Sequence, residues 1–122
     1  MKIYVTHSTA FDFKKELYEP IRNSELNKKN QIALPHETST ELFNSKEYMK
    51  SCNLIIAEVS YPSTGQGIEL GWANLYNVPI LAFYKSGSKP SGSIKAVTNT
   101  ILEYKNTEEL ISLLERAITS NQ

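Results

Sequence analysis

The chain of 122 residues holds a single cysteine, Cys52, so no internal disulfide can staple its fold. It carries no net charge, since thirteen basic and thirteen acidic residues cancel. That removes the field on which nucleic-acid and membrane-surface binding depend. No apolar run reaches membrane length and no signal-peptide pattern opens the chain. A cytoplasmic location is therefore expected, with neither nucleic acid nor membrane as partner. Two histidines and one cysteine offer no metal-ligand spacing, so no metal and no cofactor is expected. Aspartate is nearly missing too: Asp12 is the only one. The length suits one domain over 1–122, which buries roughly two-thirds of its unfolded surface and needs no metal or disulfide for a core.

What is present is concentrated between Asn53 and Tyr76. Leu54, Ile55, Ile56, Ala57 and Val59 form an apolar run short enough for a strand buried on both faces. Ser60-Tyr61-Pro62-Ser63-Thr64-Gly65 breaks it. From Ile68 onward Leu70, Trp72, Ala73, Leu75 and Tyr76 follow a helical spacing, which puts Glu69 in the first helical turn just after Gly67. There the helix dipole and free N–H groups favour an anion. A first-turn glutamate is common for the dipole alone, so position by itself does not make it functional. The glycines are no dinucleotide fingerprint. Their spacing is Gly65-x-Gly67-x-x-x-Gly71, and Lys85 and Lys89 stand where a ribose-binding acid belongs. No Lys-Ser/Thr pair follows them, which excludes a P-loop.

Around this stretch, Lys2 to Thr6 reads as a first strand. Phe11 to Arg22 reads as a helix with Phe13, Leu17 and Ile21 inward, its last turn bent near Pro20. Asn23 to Asn30 reads as a loop, Gln31 to Leu34 as a second strand, and Leu42 to Lys50 as a helix capped by Thr38 or Thr40. Val78 to Tyr84 gives a fourth strand and Ser91 to Val97 a short helix. Ile101 to Tyr104 gives a fifth strand, and Thr107 to Ile118 an amphipathic helix with Thr107 as its cap. Alternating strands and helices imply right-handed βαβ units. The expected architecture is α/β: a flavodoxin/Rossmann-like three-layer sandwich on a five-stranded parallel sheet of order 2-1-3-4-5. That order brings the loops after Thr6 and Val59 into one crevice.

The crevice would hold Tyr4, His7 and Ser8 from the first junction, and Glu58, Ser60, Ser63 and Glu69 from the second. Two acids in one crevice suggest glycosidic-bond chemistry, in which a carboxylate attacks or stabilises an oxocarbenium-like centre. Each residue also has a plainer role: Tyr4 as a packed aromatic, Glu58 as a hydrogen-bond acceptor shaping its loop, Cys52 as a small core residue. Trp72 and Tyr76, four apart, suit packing or a subunit interface.

Tyr4, the pattern AEVS-x-PS-x-G-x-G-x-ELG-x-A over Ala57 to Ala73, and Val78-Pro79-Ile80-Leu81 together resemble the nucleoside 2-deoxyribosyltransferase family. Within it they resemble the branch of 2′-deoxynucleoside 5′-phosphate N-hydrolases, over Lys2 to about Val97. The resemblance implies that Glu69 is the nucleophile on the anomeric carbon and Tyr4 its assistant. It implies that Ser8, Ser63 and Ser93 hold a 5′-phosphate, Ser93 acting from a neighbouring subunit, and hence a homodimer or larger assembly. The candidate substrate-binding set is Ser8, His7, Glu58, Ser63, Gly65, Gly67 and Ser93. Two departures stand out. Ser45 occupies the place of the family's proton-transferring Asp, with Glu41 and Glu47 nearby. The first loop lacks the branch's Arg, leaving Lys85 or Lys89 to help with a phosphate. The function implied is cleavage or transfer of the N-glycosidic bond of deoxynucleosides or their 5′-monophosphates. The alternative is a nucleotide-binding or sensing domain without turnover.

Overall fold

A computed structural model of the chain describes residues 1–37 and 45–120. Their core is a five-stranded, all-parallel sheet in the order β2-β1-β3-β4-β5, the expected order. The strands are β1 (Lys2–His7), β2 (Gln31–Ala33), β3 (Leu54–Glu58), β4 (Ile80–Lys85) and β5 (Ile101–Tyr104). Register aligns the ends of β1 and β3, with Thr6 opposite Ala57 and His7 opposite Glu58. The topological switch therefore lies between these two strand ends, where ligands of such sheets bind.

Strand alternation sorts the core into two layers. Ile3 and Val5, Leu54 and Ile56, and Leu81 and Phe83 face one side. They pack against Leu17 and Ile21, against Leu26 of helix α2 (Glu25–Lys29), and against Leu110, Leu114 and Ile118 of helix α5 (Thr107–Ser120). Tyr4, Ile55, Ala57, Ile80 and Ala82 face the other side. They meet Met49 of helix α3 (Ser45–Lys50) and Leu70 and Ala73 of helix α4 (Thr64–Leu75).

Several elements differ from expectation for local reasons. The first helix begins at Lys14 as a π-helical turn (Lys14–Tyr18) and continues as α1 (Glu19–Arg22). Pro20 has no N–H for the Glu16 carbonyl and its ring crowds that carbonyl, so the turn before it widens; Glu19 N–H reaches back to Lys14 instead. Leu17 and Ile21 are buried, while Phe13 is only half-buried. The expected loop 23–30 contains α2, preceded by Ser24 in an extended conformation and anchored by Leu26. Asn106, not Thr107, caps α5, its side-chain oxygen accepting from Glu109 N–H at 2.9 Å. Thr38, Thr40, Glu41, Leu42 and Phe43 lie outside the described residues. No helix among the described residues is long and apolar enough to cross a membrane.

The difference that matters most is the start of α4. It begins at Thr64, with Ser63 as N-cap accepting from Gln66 N–H at 3.4 Å. Glu69 is consequently one turn further in than expected, and the first turn holds no acid. Its carboxylate does not sit on the free N–H groups of the helix end.

Candidate active site

The hydroxyls that hold Glu69 come from β1. Tyr4 and Thr6 alternate onto the same face of that strand, toward α4. The Tyr4 hydroxyl donates to Glu69 Oε2 at 2.6 Å, and the Thr6 hydroxyl donates to Oε1 at 2.7 Å. Tyr4 and Thr6 are buried, whereas Glu69 is half-buried and keeps access to solvent. Burial first, then the charge of Glu69 and the bond to it, raise the Tyr4 hydroxyl well above its ordinary pKa. Tyr4 thus keeps its proton and acts as donor. The Ser45 side chain beside Tyr4 works the other way and lowers its pKa. Tyr4, Glu69 and Thr6 form one hydrogen-bonded row, with Ser45 beside Tyr4.

The other carboxylate of the crevice is differently placed. Glu58 is 2% exposed. Its Oε1 accepts from Ser60 N–H at 2.7 Å. Its Oε2 accepts from the Ser60 hydroxyl at 2.9 Å and from the Tyr104 hydroxyl. The Ser60 oxygen in turn accepts from Lys85 N–H at 2.8 Å. Glu58 therefore knots the loop after β3 to β4 and β5.

His7, next along β1 from Thr6, points to the opposite face. The Ser8 carbonyl can only accept, so His7 Nδ1, at 2.8 Å from it, carries the proton. Nε2 then accepts from the Tyr18 hydroxyl at 2.7 Å, and Tyr18 accepts from His36 N–H at 3.0 Å. Both ring nitrogens are engaged inside the protein, and burial lowers the His7 pKa. The Ser8 hydroxyl oxygen accepts from Ala10 N–H at 3.0 Å and closes the first loop.

Ser63, Gly67 and Ser93 are gathered together. They line a cavity of about 320 Å³ with Thr64, Gln66 and Ser91. Ser93 lies in the 3₁₀ turn Gly92–Ala96, so this chain's own Ser93 faces its own Ser63. Ser63 and Gly67 lie four apart on one flank of α4, and Glu69 lies on another. Gly65 sits in the exposed first turn. A Cβ on Gly65 or Gly67 would meet nothing within 4 Å. Each glycine costs the helix about 1 kcal/mol relative to alanine, and neither is required by packing within the chain. They leave space beside the helix start.

Other candidates are drawn elsewhere. Glu47 is exposed and pairs with Lys50 at 3.3 Å on the solvent side of α3, away from the row around Tyr4. Lys85 pairs with Glu16 at 3.5 Å. Burial pushes the Cys52 thiol up to about 11, so it is an inert core group. Trp72 and Tyr76 are half-buried, each beneath a lysine: Lys46 Nζ is 5.7 Å from the Trp72 ring and Lys50 Nζ 5.2 Å from the Tyr76 ring. The exposed apolar residues of α4 are instead Ile68 and Leu75. Among the described residues no group of three or more His, Cys, Asp or Glu side chains is gathered as a metal site. Thr6 and Gln66 were not singled out by motif; alternation from Tyr4 would have flagged Thr6.

No family model matches the chain. The chain is 35% identical over 71 residues to a Syntrophotalea carbinolica protein named as a 2′-deoxynucleoside 5′-phosphate N-hydrolase. The match covers 56% of this chain, and the chain spans about half the length of that relative, 50%. A solved structure of a CMP N-glycosidase from Clostridium botulinum superposes with a TM-score of 0.69 at 22% identity, over 94% of this chain and 99% of that one. A conserved protein from Enterococcus faecalis V583 superposes with a TM-score of 0.64 at 16% identity, over 96% and 98%. At these identities the two structures show a shared fold. The similarity to a nucleotide N-hydrolase expected from the motif around Glu69 is thus found.

Proposed function

We propose that this chain cleaves the N-glycosidic bond of 2′-deoxynucleosides or their 5′-monophosphates, with Glu69 as nucleophile. The observation that carries the proposal is the carboxylate of a half-buried Glu69 held at both oxygens by Tyr4 and Thr6, beside the switch between β1 and β3. A Glu69 oxygen attacks C1′ as the C1′–N bond breaks, its electron pair leaving with the base, which takes up a proton. The resulting glycosyl ester is resolved when water or a second base attacks C1′ and returns the carboxylate. Tyr4 and Thr6 donate to the carboxylate throughout and orient it. The 5′ end is assigned to the cavity lined by Ser63, Gly67 and Ser93, whose hydroxyls are the chain's nearest substitute for the missing Arg. Exposed Ile68 and Leu75 suit a homodimer contact along α4; sedimentation tests that.

One observation favours a second reading. Ser45 stands beside Tyr4 where the resembling family has an Asp, so a domain that binds nucleotides without turning them over remains its competitor. The deciding experiment is base release, followed by chromatography, from a panel of deoxynucleosides and 5′-monophosphates, with binding measured in parallel. Release supports the enzyme; binding without release supports the sensor; neither contradicts both.

A further inference from the structure

Thr6 lies on none of the motifs around Glu69, yet its hydroxyl meets that carboxylate at 2.7 Å. The residue is 0% exposed, in a central strand flanked by β2 and β3. A valine would fill the same volume there with the same β-branched shape. A buried hydroxyl is stable only with a partner, and the partner of this one is Glu69. The backbone repeats the connection. Gln66 Nε2 donates to the Thr6 carbonyl at 3.2 Å and to the Glu58 carbonyl at 2.8 Å. Gln66, three residues before Glu69, thereby ties the first turn of α4 to the ends of both β1 and β3. The helix reaches Glu69 already fixed against the strand that carries Thr6 and Tyr4.

The geometry of the two hydroxyls makes their roles separable. A donor on one carboxylate oxygen, Tyr4 on Oε2, fixes a point and leaves the group free to turn about its last bond. A second donor on the other oxygen, Thr6 on Oε1, fixes the plane. The plane decides which unshared pair faces solvent and so which can approach a reacting carbon. We propose that Thr6 is a positioning residue for Glu69, setting the plane of its carboxylate for attack. This rests on Glu69 being the nucleophile. It assigns the hydroxyl of Thr6 a share of the turnover rate and none of the affinity for substrate, since Thr6 is buried beneath the carboxylate.

The test compares Thr6→Val, Thr6→Ser and Glu69→Gln on one 2′-deoxynucleoside 5′-monophosphate, with Tm recorded for each. Thr6→Val is expected to lower kcat roughly tenfold to a hundredfold with KM nearly unchanged, the scale of a small misplacement of a reacting group. Thr6→Ser restores the hydroxyl and is expected to stay within a few-fold of wild type. If Glu69→Gln is inactive but Thr6→Val keeps its kcat within twofold, the positioning role is wrong and the nucleophile stands. Equal losses in Thr6→Val and Thr6→Ser that track a fall in Tm also overturn it, as a structural effect. An active Glu69→Gln overturns the nucleophile and Thr6 with it. A crystal structure of Thr6→Val needs no activity: the Glu69 carboxylate is expected to turn out of its plane, and an unmoved carboxylate contradicts the proposal.

Discussion

Glu58 and Glu69 come from the same strand–helix junction, and their surroundings are opposite. Glu58 is buried and receives three donors, two from Ser60 and one from Tyr104, all within its own side of the sheet. Glu69 is half-buried and receives one donor on each oxygen, both from β1 across the switch. The first carboxylate has its hydrogen-bonding capacity spent on holding a loop. The second is oriented by one donor on each oxygen, on a residue that remains half-buried. The difference teaches that a crevice acid is assigned less by its presence than by what its lone pairs are left to do.

The largest effect expected from this contrast is a double dissociation. Glu69→Gln should lower kcat by about a thousandfold or more, the scale of losing a covalent nucleophile, while Tm stays within a few degrees. Glu58→Gln should do the reverse. It places an amide N–H₂ against donors, at a cost of about 2–3 kcal/mol, and leaves turnover per folded molecule nearly unchanged. Urea melts and steady-state kinetics on both variants check this; parallel losses would erase the comparison.

Next in size is the proton for the leaving base. A positioned general acid contributes about a hundredfold to ten-thousandfold, and Ser45 offers none beside Tyr4. Turnover should therefore be slow at neutral pH, faster on purine than pyrimidine substrates, and rise toward acid as solvent protonates the base. Ser45→Asp should raise the neutral rate by about tenfold or more and the acidic rate less. pH–rate profiles of both proteins decide it. Brisk neutral turnover unchanged by Ser45→Asp would mean that another group donates.

A smaller effect is expected on the far flank of α4. Gly67→Ala adds a methyl that meets nothing in the chain, and should stabilise the helix by about 1 kcal/mol. The same methyl protrudes into the cavity with Ser63 and Ser93, so KM for a 5′-monophosphate should rise while that for the free nucleoside moves less. A gain in Tm with both KM values unchanged would remove the cavity from the substrate path.

The smallest effect concerns His7. Its folded-state pKa is lowered by burial, so as pH falls below the ordinary histidine value of about 6.5 the unfolded chain takes up a proton first. Stability is then full above that value and is lost as pH drops toward the depressed folded pKa. His7→Gln should flatten this slope between about pH 7 and 5, as urea melts across that range would show. An unchanged slope would place the acid sensitivity elsewhere.

The fold was largely legible because buried parallel strands are short apolar runs, as in Leu54 to Val59 and Ile80 to Phe83. α2 was not, since Leu26 is its single buried residue and the rest reads as polar loop. The start of α4 is hidden because Gly65 and Gly67 are poor helix formers, and only the Ser63 cap marks Thr64 as the beginning. In the site, Tyr4 with Glu69 was reachable through a resemblance; that resemblance brought Ser93 in from a neighbouring subunit, whereas the chain's own Ser93 lines the cavity with Ser63. Thr6 and His7 turned on strand parity: counting by two from Tyr4 brings in Thr6 and sends His7 to the Tyr18 side. Of the hydrogen bonds of Glu58, the one from Tyr104 joins residues far apart in sequence, and no local pattern announces it.

The account stands on Glu69 forming a bond to the sugar. Wild-type protein quenched in acid during turnover of a 2′-deoxynucleoside 5′-monophosphate, digested and analysed by mass spectrometry, tests that directly. A 2-deoxyribose 5-phosphate adduct is predicted on the peptide from α4, at Glu69, and absent from Glu69→Gln. An adduct on Glu58, or turnover that leaves Glu69 unmodified at every quench time, would contradict it.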